Sequence, residues 1–218
     1  MALKLSVLHT INKDVVQPLH TINGTILEQK DDFKYLGSWA DSSKKDNQIR
    51  KALAWKALND MTRIWKSAMS MELKRKFFVA TVESILLYGC EAWTQTSAME
   101  EALDGTYTRM LRKALNVHWS HKMTNVALYG KLPKLSDKIT ARRLRLAGHC
   151  QRHPELGAHR LILWEPTYGQ RGRGRPDTTY VDQLKRDTGA TTTGELAAMM
   201  QDRKIWRRTV DSRLRSRK

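Results

Sequence analysis

Between Ala141 and Arg175 every basic residue is an arginine: Arg142, Arg143, Arg145, Arg152, Arg160, Arg171, Arg173 and Arg175. Arginine presents a planar fork of donors that fits a phosphate bidentately and stacks on a base, where lysine offers only a point charge. The last three stand in Gly169-Gln170-Arg171-Gly172-Arg173-Gly174-Arg175-Pro176. Its glycines remove any helix or strand preference while its arginines stay in water. Such a loop can fit itself to a sugar-phosphate backbone and order on contact. Tyr168 flanks it and is the aromatic expected to stack on a base. The chemistry expected is phosphate neutralisation, with Arg142, Arg143, Arg145, Arg152, Tyr168, Arg171, Arg173 and Arg175 as the nucleic-acid-binding residues.

Other reactive residue types are spaced poorly for chemistry. His149, Cys150, His153 and His159 contain one cysteine, where a structural zinc site draws on at least two at regular spacing, and His118 and His121 lie too far along the chain to complete a set. No metal site is expected. Neither a Ser-His-Asp order nor a phosphate-cradling glycine loop is present. The two cysteines, Cys90 and Cys150, cannot make a disulfide scaffold, which favours a reducing compartment.

The 218 residues carry 39 Lys and Arg against 22 Asp and Glu, a net charge of +17. Residues 1–45 hold +1 of it, 46–118 hold +3, and 119–218 hold +13. That imbalance calls for a polyanionic partner, RNA or DNA, rather than a membrane, since no wide apolar face accompanies it. Apolar runs such as Ile85-Leu86-Leu87-Tyr88 are far short of the roughly 20 residues of a membrane span, and no signal segment opens the chain. The expected location is intracellular, nuclear and cytoplasmic, without secretion.

The elements that must position these groups are mostly helical. Asn23-Gly24 reads as a hairpin turn with Leu19–Ile22 and Thr25–Gln29 as arms; Leu5-Ser6-Val7 and Phe33 to Leu36 read as further strands. From Asp46 a helical stripe of Ile49, Leu53, Ala57, Met61 and Ile64 follows. Ser70 caps a second helix with Leu73, Phe77, Ala80, Ile85 and Leu86, closed by Gly89. A third from Ser97 carries Met99, Leu103, Tyr107, Met110, Leu111, Ala114 and Leu115. Ser136-Asp137 starts one with Ile139, Leu144 and Ala147 that ends near Gly148. Asp177 caps another, Thr192 with Glu195 forms a capping box, and a last basic helix holds Ile205, Trp206 and Val210. Trp55, Trp65, Trp93, Trp119, Trp164 and Trp206 are expected to anchor the packing.

Four blocks follow in order: Phe33-Lys34-Tyr35-Leu36-Gly37, Ile85-Leu86-Leu87-Tyr88-Gly89-Cys90-Glu91-Ala92-Trp93, Arg142-Arg143-Leu144-Arg145-Leu146-Ala147-Gly148-His149, and Arg171-Gly172-Arg173-Gly174-Arg175-Pro176. This succession resembles the C-terminal part of reverse transcriptases (RNA-directed DNA polymerases) of non-LTR, LINE-type retrotransposons, from about Asn23 onward. The resemblance implies a primer grip at Phe33, Lys34, Tyr35, Leu36 and Gly37, a thumb over residues 46–118, and beyond it a basic segment for element RNA or target DNA. Polymerisation needs an aromatic-x-Asp-Asp motif and a further aspartate to hold two metal ions. The only adjacent pair, Asp31-Asp32, has no aromatic two positions ahead and reads as a solvated turn. The chain is therefore expected to be non-catalytic and free of cofactors, with Mg2+ belonging only to the missing palm. Some relatives carry a nuclease signature, which Pro176-Asp177 and Asp202-Arg203-Lys204 match literally; Asp177 as a helix cap and Asp202 within helical sequence do not suit it.

The expected molecule is mainly α with a small N-terminal β-hairpin portion. It divides into a palm remnant (1–45), a thumb-like bundle (46–120) and a basic helical region with an Arg-Gly loop (121–218). Its expected function is template-primer, element-RNA or target-DNA binding through phosphates. The alternatives are a structural fragment that only packs against the palm and fingers, and a helix-turn-helix-like DNA reader.

Overall fold

The computed structural model describes residues 6–8, 28–30, 34–35, 38–39, 43–165 and 179–216. The chain divides into two units, Met1–Gln48 and Ile49–Lys218. In the first, β1 (Ser6–Leu8) pairs in parallel with β2 (Glu28–Lys30), and β3 (Lys34–Tyr35) pairs antiparallel with β4 (Ser38–Trp39). Glu28 and Gln29, expected in an antiparallel arm, thus pair in parallel; the Asn23-Gly24 turn lies outside the described residues, as do Phe33, Leu36 and Gly37 of the grip-like block.

Helices make up the rest: α1 (Ser43–Asp60), α2 (Thr62–Trp65), α3 (Met71–Phe78), a π-helical turn (Val79–Glu83) running into α4 (Ser84–Leu86), α5 (Ser97–Ala114), α6 (Asn125–Tyr129), α7 (Leu135–Arg152), α8 (Gly157–Ile162), α9 (Tyr180–Thr188), α10 (Thr193–Gln201) and α11 (Arg203–Ser216). Short 3-10 turns lie at Cys90–Ala92 and Trp119–His121. No described helix is long and apolar enough to cross a membrane.

The long apolar stripe of α5 faces inward as its spacing predicts, with Thr96 capping the helix through the Met99 N–H. The stripes predicted for α1 and for α3 with its π turn hold in part: Leu86 is buried and Met61, Ile64, Phe77 and Ile85 pack partly against the core, but elsewhere the most buried positions lie one or two residues on. In α1 the interior takes Ala54 and Leu58, and Leu53 is exposed; in α3 and the π turn it takes Phe78 and Val82, and Leu73 and Ala80 are exposed. Aromatic packing decides this. Trp65 donates its Nε1 proton to the Leu58 carbonyl at 2.8 Å, and Phe78 packs edge-on against both Trp65 and Tyr107, at 6.5 and 5.4 Å between ring centroids. The π turn then widens the helix so that Leu86 and Leu87 are both buried. Gly89, at φ 72°, ends this stretch in the left-handed region, as a terminal glycine should.

Two apolar cores meet on α7. The first gathers α1 to α6 with Leu135 and Ile139; the second joins Ala141, Leu144 and Ala147 to Leu184, Leu196, Met200, Trp206 and Val210. Residues 49–218 accordingly form one unit, with no division near residue 120. α7 also runs past the predicted end at Gly148. That glycine admits a neighbour: a Cβ there would lie 2.2 Å from Trp206 Nε1, whose proton goes to the Leu144 carbonyl at 2.9 Å. At the other end, Ser136 is not a cap for its own helix. Its N–H and Oγ both donate to the Asp104 carboxylate of α5, at 2.9 and 2.7 Å, which satisfies a first-turn donor from outside. The cap of α9 is Thr179, reciprocated by Asp182, while Asp177 lies outside the described residues. Trp119 and Trp164, grouped above with the packing tryptophans, are 81% and 63% exposed.

Candidate nucleic-acid interface

Successive residues of a helix point about 100° apart, so Arg142, Arg143 and Arg145 cannot share one role. Arg143 turns inward and is 0% exposed. Its Nε donates to Asp187 at 2.9 Å and one terminal nitrogen donates to the Trp93 carbonyl at 2.7 Å; Gln183 donates to the other Asp187 oxygen. Its assignment to a phosphate is therefore corrected: buried charge is tolerable only when paired, and this guanidinium is fully committed inside. Arg142, with its side chain 43% exposed, leans on Glu91 and the Leu87 carbonyl, at 3.4 and 3.3 Å. Two of the sequence blocks thus grip each other, the Arg142–His149 block holding the Ile85–Trp93 block. Arg152 is half-buried and donates to the Met200 carbonyl at 2.8 Å. Tyr168, Arg171, Arg173 and Arg175 lie outside the described residues.

Arg145 points outward and makes no hydrogen bond or ion pair among the described residues. It stands where two hollows along the outer face of α7 join. One, of about 870 Å³, is bounded by Lys131 and Pro133 on one side and by Lys138 and Arg142 of α7 on the other. The second, of about 470 Å³, lies between α7 (Arg145, His149, Arg152) and α11 (Arg203, Arg207), with Trp206 in its floor. Seven cationic side chains line the pair against two carboxylates, Glu83 and Asp211. Glu83 is already paired. It accepts from Lys138 Nζ and from the Tyr107 hydroxyl, both at 2.5 Å. Burial first, and then the Glu83 charge, push the Tyr107 phenol well above its ordinary range, so it stays a donor. The sequence pattern marked a last basic helix around Ile205, Trp206 and Val210, but only the packing of Trp206 and Val210 shows that Arg203 and Arg207 face Arg145.

The histidines serve other ends. His149 and His153 lie ring to ring at 4.4 Å, His153 pairs with Glu155 at 2.7 Å, and His159 bonds the Cys150 carbonyl at 3.2 Å. Among the described residues no group of three or more His, Cys, Asp or Glu side chains could hold a metal ion. Asp202 caps α11, accepting from the Lys204 and Ile205 N–H groups at 2.7 and 3.0 Å; these bonds draw its carboxyl below the usual range. It lies at a helix start, where its carboxylate is engaged as the cap.

No protein-family model matches the chain, and no solved structure matches it. The chain is similar to an uncharacterized transposon-derived protein of Caenorhabditis elegans, with which it is 23% identical over 197 residues, covering 84% of this chain and 71% of that protein. The likeness points to a transposon origin for this chain.

Proposed function

We propose that the chain binds nucleic acid along the outer face of α7, as a non-catalytic part of a retrotransposon protein related to non-LTR reverse transcriptases. The observation that carries this reading is the convergence of Arg145, Arg203 and Arg207 on one groove with no internal partner for any of them among the described residues. Around that trio, Lys131, Arg142 and Arg152 extend the positive face along a helix about 27 Å long. Contacts of this type read the charge and spacing of phosphates rather than base identity, so the affinity should be broad across sequences. The four ordered sequence blocks, through the family they resemble, imply a template, primer or element-RNA partner.

The test is fluorescence anisotropy on a labelled duplex of about 20 base pairs over a salt series. With about five phosphates engaged, log affinity falls against log salt with a slope near −4.5. Arg145→Ala combined with Arg207→Ala makes that slope shallower by about 2 and weakens all sequences alike. A salt-independent affinity, or an unchanged slope in the double variant, overturns the reading.

A further inference from the structure

We propose that Trp119 is a stacking platform for an unpaired base, giving the protein a single-strand contact separate from the α7 groove. The idea rests on the nucleic-acid reading above, but on different residues. Trp119 is 81% exposed, whereas Trp65, Trp93 and Trp206 are each 3% exposed or less. The turn that carries it is nevertheless well closed. Trp119 opens this 3-10 turn, Trp119–His121, which is closed reciprocally at both ends: His121 Nδ1 accepts the His118 N–H at 3.2 Å, and the Ser120 N–H and hydroxyl approach His118 Nδ1 at 3.5 and 3.0 Å. The His118 ring leans against the indole at 5.4 Å. A large aromatic on a closed turn loses little freedom when a base lies on it.

The surroundings select what lies there. From Gly105 to Ser136 the sequence contains six Lys and Arg and not one Asp or Glu. Beside the turn, a notch of about 200 Å³ is lined by Lys66, Arg112 and Lys113 and by no carboxylate. Arg112 braces the turn from below, donating to the Met123 carbonyl at 3.0 Å and Asn125 Oδ1 at 2.8 Å. The side chains of Lys66, which lines the notch, and Lys122, which closes the turn, have no partner among the described residues, leaving both ammonium groups available to flanking phosphates. A protein partner would be expected to surround a central tryptophan with a water-excluding rim. Here the neighbours in the turn are Ser120, His121 and Lys122, all exposed, which suit a charged, hydrated strand instead. Within a duplex both faces of a base are covered by its neighbours, so the platform accepts only a single strand, a frayed end or a splayed base.

The test uses the full chain with two labelled probes, an oligothymidylate of about 12 nucleotides and a duplex of about 20 base pairs. Trp119→Ala weakens the single strand by about 5- to 100-fold and the duplex by less than about 2-fold, and Trp119→Phe recovers most of the loss. Lys66→Ala with Lys122→Ala makes the single-strand salt slope shallower by about 1.4. Unchanged single-strand affinity in Trp119→Ala, or equal losses on both probes, overturns the platform. So does a Trp119→Ala variant that binds normally but elutes at a different oligomeric size, which assigns the indole to a protein contact. If neither probe binds the wild-type chain, the groove reading fails; if both bind and Trp119→Ala changes neither, only the platform does.

Discussion

The two cores that share α7 are built on different terms. The first is a broad apolar interior in which Trp65, Phe78 and Tyr107 pack edge to face, and a polar knot, Tyr107 with Glu83 and Lys138, sits at its margin beside a cavity. The second is thinner. It closes through a buried ion pair, Arg143 with Asp187, and through one close fit, Trp206 across Gly148. Burial of area is tolerant of small changes, whereas a paired charge or a missing Cβ is not. The second core should therefore fail at single positions, and the first by degrees.

The sharpest break is Arg143→Ala, which strands the Asp187 charge in the interior and should cost about 3–5 kcal/mol in urea unfolding. Replacing both partners, Arg143→Met with Asp187→Leu, should return most of that, since the penalty belongs to the unpaired ion. A double variant as unstable as the single one would show that the pair is not the clasp. Next comes Gly148→Ala, expected to cost about 1–3 kcal/mol through the clash with Trp206 and to expose that indole in its emission spectrum. The first-core counterpart is milder. Tyr107→Phe removes one donor to Glu83 but leaves Lys138 in place, an expected loss of about 1 kcal/mol by thermal melting.

Acid gives the gentlest probe. The carboxyls drawn below their ordinary range, Glu155, Glu165, Glu195 and Asp202, all belong to the second half, held mainly by backbone or side-chain hydrogen bonds. A carboxyl lowered in the folded state contributes fully above its unfolded pKa of about 4 and loses that contribution as pH falls through the folded value. Hydrogen exchange at decreasing pH should thus open α10 and α11 before α5; simultaneous opening would erase the contrast. In the first core, burial raises the Cys90 thiol to about 12, so alkylation at pH 8 should spare it until the chain unfolds.

Much of this is legible in the sequence. The α5 stripe is long and unbroken, and six of its seven predicted positions are buried, with Met99 in the first turn only half-buried, because one period governs the helix. The faces of α1 and α3 are legible only in part, since a neighbouring tryptophan and a π turn choose between stripes one or two residues apart. Gly148 reads as a stop because glycines end helices; its actual work is to make room for a side chain 58 positions later. Arg143 and Arg145 look alike in sequence, and only Asp187, 44 residues downstream, separates the structural arginine from the available one. Two of the four ordered blocks prove to be parts of a single interior lock, with Arg143 of one donating to the Trp93 carbonyl of the other.

Because one rod is common to both interiors, a strand laid along its outer side braces them together. Anything gripping that side only in the native state raises the melting point by mass action, in proportion to the logarithm of its concentration over its dissociation constant. The two halves should then melt closer together when loaded than when bare, with α7 serving as axle for both.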